Sequence, residues 1–169
     1  MFLVAGKAGC GKNEVAHELK SKLENSVITG FSKYIKLFAL ELSDWDGRDI
    51  NKPREFLQNM GDKLRSIDEN FLTKRLCEDL KVYENEGINN VIVSDVRLIN
   101  EIEYFKNNGF DVITIKVNCS NCKRNLSLEE KNHITELELD NYDKFDYVID
   151  NEFDDKLYKD IEKILEGLK

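Results

Sequence analysis

The run Gly6-Lys7-Ala8-Gly9-Cys10-Gly11-Lys12-Asn13-Glu14 puts three glycines and a lysine into one short loop, in the pattern G-x-x-x-x-G-K. Such a loop can hold a chain of phosphates by its backbone N–H groups, because Gly6, Gly9 and Gly11 carry no Cβ to keep the anion away. An apolar run precedes it and a helical pattern follows at once. That is the order strand, loop, helix N-terminus that a Walker A site requires. The helix dipole favours the anion, and Lys12 adds a compact positive charge for the β- and γ-phosphates. Gly6, Ala8, Gly9, Cys10, Gly11, Lys12, Asn13 and Glu14 are therefore the expected phosphate-binding residues. Asn13 and Glu14 stand where Ser or Thr would offer a hydroxyl to Mg²⁺, and the amide oxygen of Asn13 suits that hard cation.

Asp95 closes the apolar run Val91-Ile92-Val93-Ser94, where a carboxylate can orient Mg²⁺ or instead cap the helix that starts near Leu98. Arg97, two residues on, can clamp a phosphate with two parallel hydrogen bonds or pair with Asp95. Between residues 31 and 87 lie Lys33, Lys36, Arg48, Arg54, Lys63 and Arg65, interleaved with Phe31, Tyr34, Phe38 and Phe56. Aromatics can stack a base and cations can hold its phosphate, although most charged helix residues only solvate a face. Gln58 presents both a donor and an acceptor to a base edge. Cys119-x-x-Cys122 with His133 and Glu136 has partial zinc-ligand spacing, and a redox pair is a second reading. Inert thiols are the expectation, since a closed zinc site needs further strong ligands. In the same loop Lys123 and Arg124 can neutralise charge on a phosphoryl group in transfer.

The elements that must position these groups follow from periodicity. Strands are expected at 2–5, 26–29, 91–95, 112–117 and 147–149. Helices are expected at 12–25, 31–42 capped by Ser32, from Pro53 to 65, 68–86 capped by Asp68, 98–108 and 154–168. A capping box Ser127-x-x-Glu130 opens a further helical piece. Strands separated by helices argue for an α/β fold, a five-stranded parallel sheet with helices on both faces in three layers. Ligands of such sheets bind at the carboxyl ends of the strands, where the 6–13 loop, Asp95–Arg97 and the 118–126 loop fall. One domain over 1–169 is expected, with residues 31–87 as a helical insertion and 118–136 as a lid.

The chain of 169 residues has a net charge of −8, 41% hydrophobic residues and 34% charged ones. An acidic surface disfavours nonspecific nucleic-acid binding, so the expected partners are small nucleotides. No apolar run approaches the ~20 residues of a membrane span. The N-terminus reads as strand and loop rather than as a signal peptide. Four cysteines then suggest reduced thiols in a cytoplasmic protein.

Along most of its length the chain resembles the phage and bacterial deoxynucleoside monophosphate kinases of the P-loop group. The loop Gly6–Asn13 is similar to that family's Gly-Lys-Ala-x-Ser-Gly-Lys-Asp, although Glu14 stands where Thr is usual. Phe31 to Lys36 is similar to Phe-Ala-Asp-x-x-Lys, and Arg54-x-x-Leu57-Gln58-x-x-Gly61 to Arg-x-x-Leu-Gln-x-x-Gly. The strongest match is Ser94-Asp95-Val96-Arg97-x-x-Asn100-Glu101. His133-x-Thr135-Glu136 and Asp146-x-Val148-Ile149-x-Asn151 echo C-terminal patterns of the family. Arg65 lies one residue closer to Gly61 than in the family, and Phe71 replaces a usual Trp.

The resemblance implies a three-layer P-loop kinase fold and transfer of the γ-phosphoryl group of ATP, with Mg²⁺, to a (deoxy)nucleoside monophosphate. It implies Lys12, Asp95, Arg97 and Arg124 as catalytic residues and Asn13 and Asp95 on the metal side. Phe31, Lys36, Arg54, Gln58, Arg65 and Arg97 would bind the acceptor. Other small-molecule P-loop kinases, such as dephospho-coenzyme A kinase, and a non-catalytic nucleotide-binding module are the alternatives. The acceptor's base and sugar stay open, as does the oligomeric state, a homodimer included.

Overall fold

The alternation in Phe2-Leu3-Val4-Ala5 decides the architecture. These residues form β1 (Phe2–Ala5) and all four are buried. Because successive side chains of a strand point to opposite faces, Phe2 and Val4 enter one core while Leu3 and Ala5 enter another. A sheet apolar on both faces needs helices on both. The computed structural model describes residues 1–120, 122 and 126–168, and meets that need with a five-stranded, all-parallel sheet and eight α-helices among those residues.

The other strands are β2 (Ser26–Thr29), β3 (Asn90–Val96), β4 (Ile113–Asn118) and β5 (Tyr147–Asp150), in the order β2-β3-β1-β4-β5. The helices are α1 (Lys12–Lys22), α2 (Lys33–Leu42), α3 (Arg54–Ile67), α4 (Phe71–Asn85), α5 (Ile99–Asn107), α6 (Leu128–Asn132), α7 (Ile134–Leu137) and α8 (Lys156–Glu166). Two short 3₁₀ turns, Asp49–Asn51 and Glu138–Asn141, complete the path. On one face Val15, Ala16 and Leu19 of α1 meet Leu157, Ile161 and Ile164 of α8 across β1, β4 and β5. On the other, Leu72 and Leu76 of α4 pack with Ile102 and Phe105 of α5 and with Phe31 and Ile35. The chain leaves β1 toward β2 on one side and crosses from β3 to β4 on the other. The loops after β1 and β3 therefore diverge and leave a crevice at their carboxyl ends. No helix among the described residues is long and apolar enough to cross a membrane.

Strand positions agree with the sequence reading to within about a residue, but several local details differ. Asp68 does not cap α4. It already ends α3, where its N–H bonds to the Leu64 carbonyl, so the cap position falls to Asn70, whose N–H the Asp68 carboxylate accepts. Ser32 stands at the cap of α2, yet its side chain turns to Asp95 instead of to its own helix. The expected polar loop 43–52 holds a 3₁₀ turn and buries Trp45, whose indole N–H donates to the Arg48 carbonyl at 2.8 Å.

Candidate functional site

At the carboxyl end of β1, Gly11 caps α1 with φ +97°, a conformation that favours glycine. A Cβ there would strike the side-chain amide of Asn151. Asn151 follows β5, is 1% exposed, donates to the Cys10 carbonyl at 3.0 Å and accepts from the Phe153 N–H at 2.8 Å. One buried amide thus ties the glycine-rich loop to the turn after β5. Inside the loop the Lys12 ammonium donates to the carbonyls of Gly6 and Lys7, each at 2.8 Å. Its pKa falls from 10.5 to about 8. Burial is the main cause, followed by repulsion from Arg97, while Cys10, Glu136 and Asp95 pull the other way.

The end of β3 supplies the second group. Leu3 pairs with Val93 but Ala5 with Val96, so β3 carries one extra residue in the interval that holds Ser94 and Asp95. Such a bulge re-aims side chains at a sheet end. Asp95 accepts from the Phe31 N–H at 2.8 Å, the Ser32 N–H at 3.0 Å and the Ser32 hydroxyl at 2.5 Å, capping the start of α2 rather than α5. Arg97 does not pair with Asp95. Its guanidinium donates to Glu136 at 2.7 Å and to the Thr135 carbonyl at 3.4 Å. Its own N–H and that of Leu98 both bond to one oxygen of Glu101, at 2.7 and 3.1 Å. Glu101 is buried at the start of α5. Burial raises its pKa to about 7, against the opposing pull of the Arg97 N–H.

A cavity of about 570 Å³ joins these groups. Ala8, Gly9, Gly11, Lys12, Asn13 and Glu14 of the glycine-rich loop, Asp95 and Arg97 at the end of β3, and Phe31, Lys36, Arg54, Gln58 and Arg65 from residues 31–87 all line it. Gly6 and Cys10 instead border a neighbouring space of about 380 Å³, together with Arg97, Lys116, Cys119 and Cys122. Three of the six cations singled out between residues 31 and 87 face the main cavity. Lys33 pairs with Asp79 at 2.5 Å, Arg48 pairs with Asp46, and Lys63 is exposed. Among the aromatics, Phe31 is 3% exposed and packs against Phe105 in the core, which leaves little of its ring to the cavity. Glu14 accepts from the Tyr158 hydroxyl at 2.8 Å, so α8 restrains it.

The segment from Leu128 to Asn141 closes over the cavity through polar contacts. Arg54 of α3 lies 3.8 Å from Glu130, Asp62 of α3 lies 3.0 Å from the His133 ring, and Arg97 holds Glu136. The second oxygen of Glu136 accepts from the Ala8 N–H at 2.9 Å. With His133 and Glu136 so engaged, the zinc spacing does not assemble. No group of three or more His, Cys, Asp or Glu suited to a metal occurs among the described residues. Cys119 and Cys122 stand together after β4 at a Cα separation of 5.6 Å, a distance a disulfide spans, so the pair is placed to form one rather than set apart as inert thiols. Lys123 and Arg124 lie outside the described residues.

Sequence reasoning missed several residues of this site. Gly30 faces Asp95 so closely that the carboxylate would collide with a Cβ, a relation no spacing announces. Glu101 and Asn151 stood in quoted motifs, but their tasks depend on partners brought up by the fold. Glu136 stands in the partial zinc spacing and in the His133-x-Thr135-Glu136 pattern, but neither announces its contact with Ala8, 128 residues away in the chain. Trp45 also lines the cavity, and a lone tryptophan in a polar stretch was its only signal. No family model and no curated protein compared with this chain matches it.

Proposed function

We propose that the protein transfers the γ-phosphoryl group of ATP to a (deoxy)nucleoside 5′-monophosphate, giving ADP and the diphosphate. The observation that carries this reading is the shared cavity. A glycine-rich loop with a buried lysine, Arg97, and a helix-borne set of Lys36, Arg54, Gln58 and Arg65 all line it. The strand order and the loop at the end of β1 support a three-layer P-loop kinase fold, with residues 31–87 as the acceptor-binding insertion and 118–136 as the lid.

The loop fits a polyphosphate. Lys12 is 8% exposed and donates to two carbonyl oxygens, while Glu136 and Asp95 act on its charge only from a distance, so burial has taken that charge out of water with no ion pair to it among the described residues. A phosphate supplies the missing negative charge. Mg²⁺ fits as well, because it keeps several waters and takes only one or two protein oxygens beside those of the phosphates. Asn13, on the cavity wall, would be its protein side, while the expected second partner, Asp95, has both oxygens taken by the start of α2; the ion would neutralise charge on the transferring group.

In the transfer the bond from the γ-phosphorus to the β,γ-bridging oxygen breaks and a bond to an acceptor phosphate oxygen forms. The acceptor is already an anion, so the chain needs no strong base. Its task is alignment and charge neutralisation. Lys12 would follow the β- and γ-phosphates. Arg97 would clamp the group in transit, with its backbone held by Glu101. Arg54 and Gln58, one helical turn apart on α3, would take the acceptor's phosphate and base. Asp95 would act through α2, fixing Phe31 and Ser32 where the acceptor enters. The test is an ADP-release screen over deoxy- and ribonucleoside monophosphates, with dephospho-coenzyme A as the hydroxyl acceptor. Stimulation by monophosphates alone supports the reading, and none by any monophosphate overturns it.

A further inference from the structure

One carboxylate on the wall of the cavity occupies two anion donors. Glu136 places one oxygen 2.9 Å from the Ala8 N–H of the glycine-rich loop and the other 2.7 Å from the Arg97 guanidinium. An N–H of a glycine-rich loop and an arginine fork are the donors that two oxygens of a phosphate take. The Glu136 side chain is only 9% exposed, so a phosphate that takes these same two N–H groups must displace it.

The segment that carries Glu136 is held lightly. Neither α6 nor α7 has a buried residue, and Leu128, Ile134 and Leu137 are exposed. The polar pairs to Arg54 and Asp62 hold it down, while Leu139, just beyond, is anchored in the core. A segment docked by polar contacts and anchored at one end opens at small cost in buried apolar surface.

We propose that Glu136 is a built-in competitor for the phosphate site: its carboxylate stands in for a phosphoryl group in the unliganded protein, and a nucleoside triphosphate binds only as Glu136 gives up Ala8 and Arg97. This rests on the phosphate-binding reading of the loop above. Two states follow, one in which Glu136 holds the donors and one in which phosphate does. Ligand affinity is lowered by the fraction of molecules in the first state. The contact then keeps Arg97 oriented and Lys12 partly balanced while the site waits.

The test is calorimetric titration of the full chain with inorganic tripolyphosphate and with ATP, without metal, comparing the parent with Glu136→Gln. The glutamine is isosteric, but it loses the charge and turns an N–H₂ toward one of the two donors. Affinity for both ligands should rise about tenfold, the gain expected if about a tenth of the unliganded molecules are open. The unliganded variant should melt lower than the parent, and saturating tripolyphosphate should erase that difference, because the ligated state lacks the Glu136 contact. Equal or weaker binding, or a melting difference that persists at saturation, overturns the proposal. Should the variant not fold, hydrogen exchange of the parent decides. Tripolyphosphate should protect residues 6–13 and speed exchange in 133–138, and protection of both segments overturns the competitor role. A parent that binds neither ligand would refute the nucleotide-site reading, and the competitor role with it.

Discussion

Gly30 and Asp95 fit together only because Gly30 has no side chain: a Cβ on Gly30 would lie 2.6 Å from each oxygen of the Asp95 carboxylate. That approach lets the end of β3 cap the start of α2 with three hydrogen bonds, and so fixes one wall of the cavity. Replacing Gly30 by Ala forces the carboxylate off these donors. Gly30→Ala should cost about 1–3 kcal/mol of stability, as overpacking does, and should weaken acceptor use more than ATP binding. Urea unfolding with steady-state kinetics checks it, and a variant within about 0.5 kcal/mol of the parent would mean that the carboxylate moves freely.

Lys12 should make phosphate binding pH-dependent. Its folded pKa of about 8 lies below the ordinary 10.5, so the charged lysine is disfavoured in the folded chain. The sign follows: stability from this group is lowest below about pH 8 and rises as the pH climbs toward 10.5. A bound polyphosphate favours the ammonium and raises the pKa again. Binding should therefore take up a proton near pH 9 and none near pH 6, and affinity should fall as the pH rises through 8. Calorimetry in buffers of different ionisation heat measures the uptake. Lys12→Ala should lose it, and an uptake that survives in Lys12→Ala would place the titrating group elsewhere.

Glu101 shows the opposite sign. Its pKa is raised from 4.5 to about 7, so the ionised form is disfavoured in the fold, and stability from this group declines as the pH rises through that window. Glu101→Gln keeps an oxygen for the Arg97 and Leu98 amides and removes the charge. Its stability relative to the parent should improve from about pH 5 to pH 8. Glu101→Ala should instead lose roughly 1–3 kcal/mol for each stranded amide. If Gln is as destabilising as Ala near pH 8, the charge itself is what holds the loop.

Gln58 lines the cavity one helical turn from Arg54. Gln58→Leu keeps the bulk and removes the amide, so a base edge would lose its partner. The ranking of monophosphates by kcat/KM should change by about tenfold or more while ATP affinity holds, since specificity resides in buried polar pairs. Equal losses for every base, with lowered thermal stability, would make Gln58 a packing residue of α3.

What could be read in the sequence were the features written within one element. The apolar runs of β1 to β5 and the glycine spacing of 6–11 are local, and the structure has them where periodicity puts them. What escaped were choices among partners. Arg97 had Asp95 two residues away and Glu136 far along the chain, and it pairs with the distant one because the β3 bulge turns Asp95 toward α2. Asp68 carries the residue type of a helix cap, but the turn that ends α3 claims its backbone first. The approach of Cys119 to Cys122 depends on how the chain turns after β4, which spacing alone does not state.

The most direct test of the account is the fate of the transferred group. ATP labelled in its γ-phosphate is incubated with the purified chain, Mg²⁺ and each deoxynucleoside monophosphate, and the products are separated. Label should appear in the β-phosphate of a nucleoside diphosphate for at least one acceptor, and Lys12→Ala should abolish it. Label found only in free phosphate, at a rate no acceptor changes, would contradict the account.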